Sequence, residues 1–215
     1  MATVRELAGK IKALAEVRLD EPMSRHTSFR IGGPADLFAV AGSVRAAAGV
    51  AGLAVRAGVP LHLLGGGTNI LVADRGIRGI VLDLSRLSGI EQGDGTVHAL
   101  AGTPVSEVAE YALARGLAGL EFAYSLPGSV GGAVWMNARC YDRQASDVLA
   151  YVEVLDPGAE TAGARRLPIV EAEWGYKRSP LQAGGAIILR AGFRLAPGDP
   201  ARIGREMQDH RADRE

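Results

Sequence analysis

Cysteine is nearly absent: Cys140 is the only one in 215 residues. One thiol cannot close an internal disulfide, and no Cys/His group has zinc spacing, so neither a disulfide framework nor a metal site is expected. Net charge is absent too, since 24 Lys and Arg balance 24 Asp and Glu. Nucleic-acid and anionic-membrane partners favour a basic excess, and neither is expected here. No apolar run reaches the roughly 18 residues of a membrane-spanning helix. The opening MATVRELAGKIKALAEV mixes charged with apolar residues, unlike the unbroken apolar core of a secretion signal. With the lone thiol, this points to a cytoplasmic protein. Asparagine is also scarce, with only Asn69 and Asn137.

Glycine is what the chain has in excess: 29 residues, clustered at 32–33, 65–67, 128 and 131–132. Glycine serves where the backbone needs positive φ or close approach to another group. Between the clusters, hydrophobic periodicity predicts a helix over residues 3–16, with Leu7, Ile11 and Leu14 on one face, then extended chain over 17–31. Residues 35–40 read as a strand. Ser43 reads as the N-cap of a helix running to Ala57 and ended by Gly58. Short strands are expected at 60–64, 70–72, 79–84 and 96–101, and a helix at 105–115. Residues 149–155, 164–169 and 186–195 are further strand candidates, and the chain from Asp199 onward reads as helical. The interleaving predicts an α+β fold of two lobes dividing near residues 85–95.

Three glycine loops carry the candidate chemistry. In LHLLGGGTNILV, residues 61–72, consecutive glycines let successive N–H groups point into one concavity that holds an oxyanion without a charged side chain. Thr68 and Asn69 add donors. The G-x-G-x-x-G fingerprint fails here, because position 70 is Ile and the next segment is strand-like, and the Walker ending is missing. A tight hairpin turn is the plain alternative. In SLPGSVGGAVWMNA, residues 125–138, Ser129 and the Gly131 and Gly132 amides supply further donors. In HTSFRIGGPAD, residues 26–36, Arg30 is either a phosphate partner or a surface charge. Three donor-rich loops on a neutral chain point to a ligand bearing a pyrophosphate, a dinucleotide held outside a Rossmann motif.

TSFRIGGPADLF (27–38), LGGGTNILVADRGIRGIVLDL (64–84), GLAGLEFAYSLPGSVGGAVWMNA (116–138) and GYKRSPLQ (175–182) occur in this order. Together they resemble the UDP-N-acetylenolpyruvoylglucosamine reductase (MurB) family. The resemblance implies an α+β, two-subdomain FAD-binding fold of the vanillyl-alcohol-oxidase (PCMH) type. It places an N-terminal helix at 1–20, cofactor subdomains at 21–88 and 89–197, and a helix at 198–215 leading toward a substrate domain. The implied cofactor is FAD, reduced by NADPH. The implied reaction passes hydride to the enolpyruvyl double bond of a UDP-sugar, giving UDP-N-acetylmuramate for peptidoglycan.

By the same resemblance, Arg30, Ile31, Gly32 and Gly33 bind the cofactor. So do Leu64, Gly65, Gly66, Gly67, Thr68, Asn69 and Ile70, and Pro127, Gly128, Ser129, Gly131, Gly132, Ala133 and Asn137. Tyr176, Lys177 and Arg178 occupy the family's Y-R-x-S motif, whose arginine steadies the enolate formed by hydride transfer. Lys177 stands at the arginine position and Arg178 one residue on, so either is a candidate for that cation. A lysine there keeps the charge but not the two-pronged fit to a carboxylate. Ser125, Arg139 and Cys140 also depart from the family pattern. No S-A-G-S motif, the family's proton-donating serine, occurs in the chain. A flavin-holding remnant without full turnover is therefore the main alternative. Another flavoenzyme on the same cofactor domain, such as an alcohol oxidase, and glycine loops that are turns only are the others.

Overall fold

A computed structural model describes residues 4–157, 163–170 and 173–214. The chain divides into two compact units, residues 1–87 with 155–163, and residues 88–154 with 164–215.

The first unit opens with helix α1 (Val4–Ile11), which buries Leu7, Ala8 and Ile11. It stops there, short of residue 16. Leu14 continues the apolar period, but its side chain packs over Gly49, and the chain turns to start strand β1 (Glu16–Pro22). Strand pairing outweighs helical pattern at this point. β1 lies antiparallel to β2 (Pro34–Val40), with Glu16 opposite Val40. The extended chain ends at Pro22: Met23–Arg25 form one turn of 3-10 helix, and residues 26–33 are loop. Helix α2 (Val44–Ala57) has the expected ends: the Ser43 hydroxyl accepts from the Ala46 N–H, and Gly58 closes it in the left-handed region. Its buried face is mostly alanine, which lets the helix sit close to the sheet.

β3 (Leu61–Leu64) and β4 (Ile77–Asp83) complete a four-stranded sheet of order β1-β2-β4-β3. β3 and β4 are parallel, with Leu61 opposite Ile80 and Leu64 opposite Asp83. A hairpin joins antiparallel strands only, so the first glycine loop is not a hairpin turn. Residues 65–76 are instead the crossover that carries the chain back to the start of β4, a task usually given to a helix. The strand expected at 70–72 is absent, and Val72 faces the core with Met23, Phe38, Leu64 and Val81.

The second unit is built on a five-stranded sheet whose order is residues 164–168 (β11), 149–155 (β10), 187–193 (β12), 96–100 (β6) and 90–93 (β5). Its first hairpin joins β5 (Ile90–Gly93) to β6 (Thr96–Leu100) through Asp94 and Gly95, both at positive φ. Helix α3 (Val105–Leu113) follows, then the short β7 (Leu117–Ala118) and helix α4 (Val130–Trp135). A small hairpin of β8 (Arg139–Cys140) and β9 (Arg143–Gln144) precedes β10 (Leu149–Leu155), β11 (Ala164–Pro168), β12 (Ile187–Phe193) and β13 (Ala196–Pro197). Helix α5 (Pro200–Ala212), capped by Asp199, buries Ile203 and Met207 in this unit's core. Beyond it, Arg214 donates to the carbonyls of Phe122 and Tyr124, and His210 Nδ1 hydrogen-bonds the Glu121 carbonyl at 3.0 Å.

Candidate functional site

In the first unit, residues 26–34 and 65–76 lie against each other, backbone on backbone at Gly33, Gly67 and Gly76. Gly67 has φ +63°, and a Cβ there would stand 1.9 Å from the His26 carbonyl oxygen. A Cβ on Gly33 would stand 1.8 Å from the Asp74 carbonyl. Ser28 N–H donates to the Gly67 carbonyl, and Gly33 N–H to the Ala73 carbonyl, both at 3.0 Å. These glycines thus serve close backbone approach. The neighbouring Gly65, Gly66 and Asn69 N–H groups meet no acceptor among the described residues. Gly66 and Asn69 are exposed, while Leu64 is buried and Ile70 half-buried. Backbone donors left open beside a loop that strand pairing does not use are what an oxyanion requires. Arg30, at φ +55°, and Ile31 are exposed on the adjoining turn, which the Thr27 hydroxyl braces by donating to the Ile31 carbonyl at 3.0 Å.

The second glycine loop behaves differently. Residues 130–135 are helical, so most of its amides have internal partners. Val130 N–H donates to Thr103, Gly131 N–H to Ala101 and Ala133 N–H to Ser129, each carbonyl at 2.8 Å. Gly132 N–H donates to the Ser129 hydroxyl at 3.4 Å. The expectation that the Gly131 and Gly132 amides are open donors is therefore corrected. Those two residues and Ala133 offer small size instead, and within residues 128–133 only the Gly128 and Ser129 N–H groups meet no acceptor among the described residues.

Asn137, expected at the cofactor, also has its polar atoms engaged within the protein. It is fully buried at φ +43°. Its amide nitrogen donates to Gln144 Oε1 at 3.2 Å and to the Gly175 carbonyl at 3.0 Å, and its Oδ1 accepts from Ser146 N–H at 3.0 Å. Both donors are engaged. Asn137 ties the β8–β9 hairpin to the turn that carries the candidate catalytic residues.

That turn is closed by reciprocal bonds between Gly175 and Arg178, N–H to carbonyl at 3.0 Å each way. Tyr176 and Lys177 form its corner, with Lys177 at φ +51°. Tyr176 is 68% exposed, and both cations are exposed as well. Lys177 Nζ lies 5.6 Å from the Tyr176 ring centre and Arg139 Cζ 5.8 Å from it. Arg139 also pairs with Asp142, whereas neither Lys177 nor Arg178 has an acidic partner among the described residues. Ser179 is buried and donates to the Trp135 carbonyl at 2.7 Å, anchoring the turn to the end of α4.

The sequence gives little hint of one further group. Glu21 is buried, and its carboxylate accepts from His26 Nε2 at 2.9 Å and from Arg18 at 3.3 Å, with Arg25 at 3.8 Å. Burial pushes the Glu21 carboxyl up, but the hydrogen bonds from His26 and Arg18 and their charges outweigh it and hold the group below its ordinary value of 4.5. A depressed carboxylate stabilises the fold above its unfolded pKa and loses that effect as pH falls through the folded one. Glu21→Gln is expected to cost about 2 kcal/mol near neutral pH. Its melting temperature should also fall less steeply than the wild type's on acidification, as calorimetry across that range would record.

Residues 35–163 match the family described as FAD binding domain. The chain is 40% identical to the UDP-N-acetylenolpyruvoylglucosamine reductase of Rubrobacter xylanophilus, over 90% of this chain and 65% of that protein. It is 39% identical to the protein of that name from Caldanaerobacter subterraneus, over 94% of this chain and 67% of that protein. A solved structure of UDP-N-acetylenolpyruvylglucosamine reductase from Thermus caldophilus superposes with a TM-score of 0.74 at 27% identity, covering 93% of this chain and 69% of that one. The chain thus spans 65% of the length of the first of these relatives. Its mixed helices and strands form the two-part FAD-binding fold that the motifs imply. On sequence and structure together, the chain belongs to the UDP-N-acetylenolpyruvoylglucosamine reductase family and carries that family's FAD binding domain.

Proposed function

We propose that this chain holds FAD and serves the NADPH-dependent reduction of UDP-N-acetylglucosamine enolpyruvate to UDP-N-acetylmuramate in the cytoplasm. The observation that carries the reading is the set of open N–H groups at Gly65, Gly66 and Asn69, on a crossover packed too closely to admit side chains at Gly33 and Gly67. These residues, with Arg30, Ile31, Gly32, Leu64, Thr68 and Ile70, would hold the cofactor's diphosphate and its neighbourhood. Pro127, Gly128 and Ser129 would add donors or contact, and Gly131, Gly132 and Ala133 would leave room. When bound, FAD supplies the two-electron chemistry, taking hydride from NADPH and giving it to the enolpyruvyl carbon.

The chain's own part is to bind, orient and stabilise charge. Arg178 is assigned the cation beside the oxyanion that develops on the substrate, since its guanidinium has no acidic partner among the described residues and fits a carboxylate in two prongs. Lys177, drawn over Tyr176, contributes charge, and Tyr176 a flat contact surface. Asn137 is assigned a positioning role through Gly175.

The test is direct. The purified chain should be yellow, with a flavin spectrum bleached by NADPH and restored by the enolpyruvyl sugar nucleotide. A colourless protein that takes up no added FAD contradicts the reading. Arg178→Ala should slow the restoring step about a hundredfold, at the low end for a lost oxyanion contact because the site is exposed. NADPH bleaching should be unaffected. A Lys177→Ala variant that shows this pattern instead would move the cation role to Lys177.

A further inference from the structure

Glu21 lies outside every motif that points to the cofactor, and His26 only opens the 26–36 loop, yet Glu21 gathers three basic partners, Arg18, Arg25 and His26. The His26 ring stacks on Phe38, a fully buried residue of β2, with centroids 4.0 Å apart at 25°. Its Nε2 is fixed by Glu21, and Glu21 by Arg18 and Arg25. Both ring position and ring rotation are thereby set. The backbone of the same residue presses on the first glycine loop, because the His26 carbonyl occupies the space a Cβ on Gly67 would take. Two residues on, Ser28 N–H donates to the Gly67 carbonyl. One residue on, Thr27 is buried and closes the turn on Ile31. An anchored imidazole therefore sits directly behind the strand of backbone against which Gly67 rests. Gly67 in turn fixes where Gly65 and Gly66 aim their open N–H groups.

We infer that His26 and Glu21 are positioning residues for the residue 65–69 loop, acting through the His26–Gly67 backbone contact. The inference rests on the FAD reading for its ligand but not for its geometry. Neither residue touches the cofactor in this scheme. Precision at an anion-binding loop depends on a supporting shell that locks it, and a hydrogen-bonded pair beneath a main-chain contact is such a shell.

The test uses the full chain. His26→Phe keeps the stack on Phe38 and removes the ring nitrogens. The expected result is an FAD dissociation constant raised about tenfold, with the amide resonances of Gly65, Gly66 and Gly67 displaced in the apoprotein. The resonance of Gly58, at the far end of α2, should stay in place. His26→Gln returns a donor to Glu21 and should recover most of the affinity, a rescue that a general loss of stability would not show. A folded His26→Phe chain with wild-type FAD affinity and unmoved loop resonances overturns the inference. If His26→Phe fails to fold, Glu21→Gln carries the test. A rise of several-fold in the FAD constant with displaced loop resonances supports the role, and unchanged values overturn it. If the wild-type chain binds no FAD, the cofactor reading fails separately, and displacement of the apoprotein loop resonances alone decides the positioning role.

Discussion

Gly67→Ala should weaken FAD binding about a thousandfold, enough that the variant loses its flavin on gel filtration. Two costs combine. The residue sits at φ +63°, where an L side chain costs about 1–2 kcal/mol. The added Cβ would stand 1.9 Å from the His26 carbonyl oxygen, a backbone atom that cannot rotate aside. Relieving that clash takes a shift of more than about 1 Å, at a typical overpacking cost of about 1–3 kcal/mol. In the apoprotein the loop can relax outward and avoid much of this. The cofactor demands the original loop position, so the cost falls on binding, as it does for any ligand whose competent state becomes a minor one. Gly58→Ala is the control. It has φ +66° but open space around it, so it should lose about 1 kcal/mol of stability and leave FAD affinity unchanged. Equal FAD affinity in Gly67→Ala and wild type would show that the loop does not hold the cofactor.

Asn137→Ala is expected to destabilise the apoprotein by about 4 kcal/mol in urea unfolding, a large share of a typical domain's total. The substitution leaves the half-buried Ser146 N–H without its acceptor and removes one of two hydrogen bonds from the Gly175 carbonyl and from the Gln144 side chain, which keep the Arg178 and Asp147 N–H groups. An unpartnered donor costs about 1–3 kcal/mol and each lost hydrogen bond about 0.5–1.5 kcal/mol. Alanine also lacks asparagine's tolerance for φ +43°. Asn137→Gly removes the same bonds but accepts the backbone angle, so it should be less destabilising by about 1 kcal/mol. A residue whose task was to touch the cofactor would behave otherwise: the apoprotein would keep its stability and only FAD affinity would fall.

Local chemistry was the most legible part of the sequence. The ends of α2 follow from Ser43 and Gly58, because capping is decided within a few residues. Glycine clusters mark the loops, since close backbone approach admits little else. What those clusters do is set by partners far along the chain. The direction of pairing between β3 and β4 turns a hairpin into a crossover, and strand direction leaves no local trace. The GSVGGAVW stretch hides a helix because glycine is a poor helix former, although Ser129 is a readable cap. The β5 strand is too short and polar to stand out by pattern, and only its Asp94-Gly95 turn marks it. Asn137 stands next to a glycine loop in sequence, but its partners at residues 144, 146 and 175 turn it inward. The Glu21–His26 pair spans a turn, so no helical or strand period links the two.

The family assignment rests on similarity that runs over nine tenths of the chain. The chemistry rests on fewer atoms. Tyr176, Lys177 and Arg178 share one tight turn, so adjacent cations occupy distinct positions: Lys177 at the corner over an aromatic ring, Arg178 at the closing pair. That separation allows single substitutions to divide their roles.

The most direct measurement is a titration of the isotope-labelled chain with FAD, followed through its backbone amide resonances. The Gly65, Gly66 and Asn69 signals should shift together along one saturation curve with a single dissociation constant. Riboflavin, which lacks the diphosphate, should leave them in place. Signals in this loop that stay fixed while FAD binds, or that move equally with riboflavin, would contradict the assignment of its N–H groups to the diphosphate.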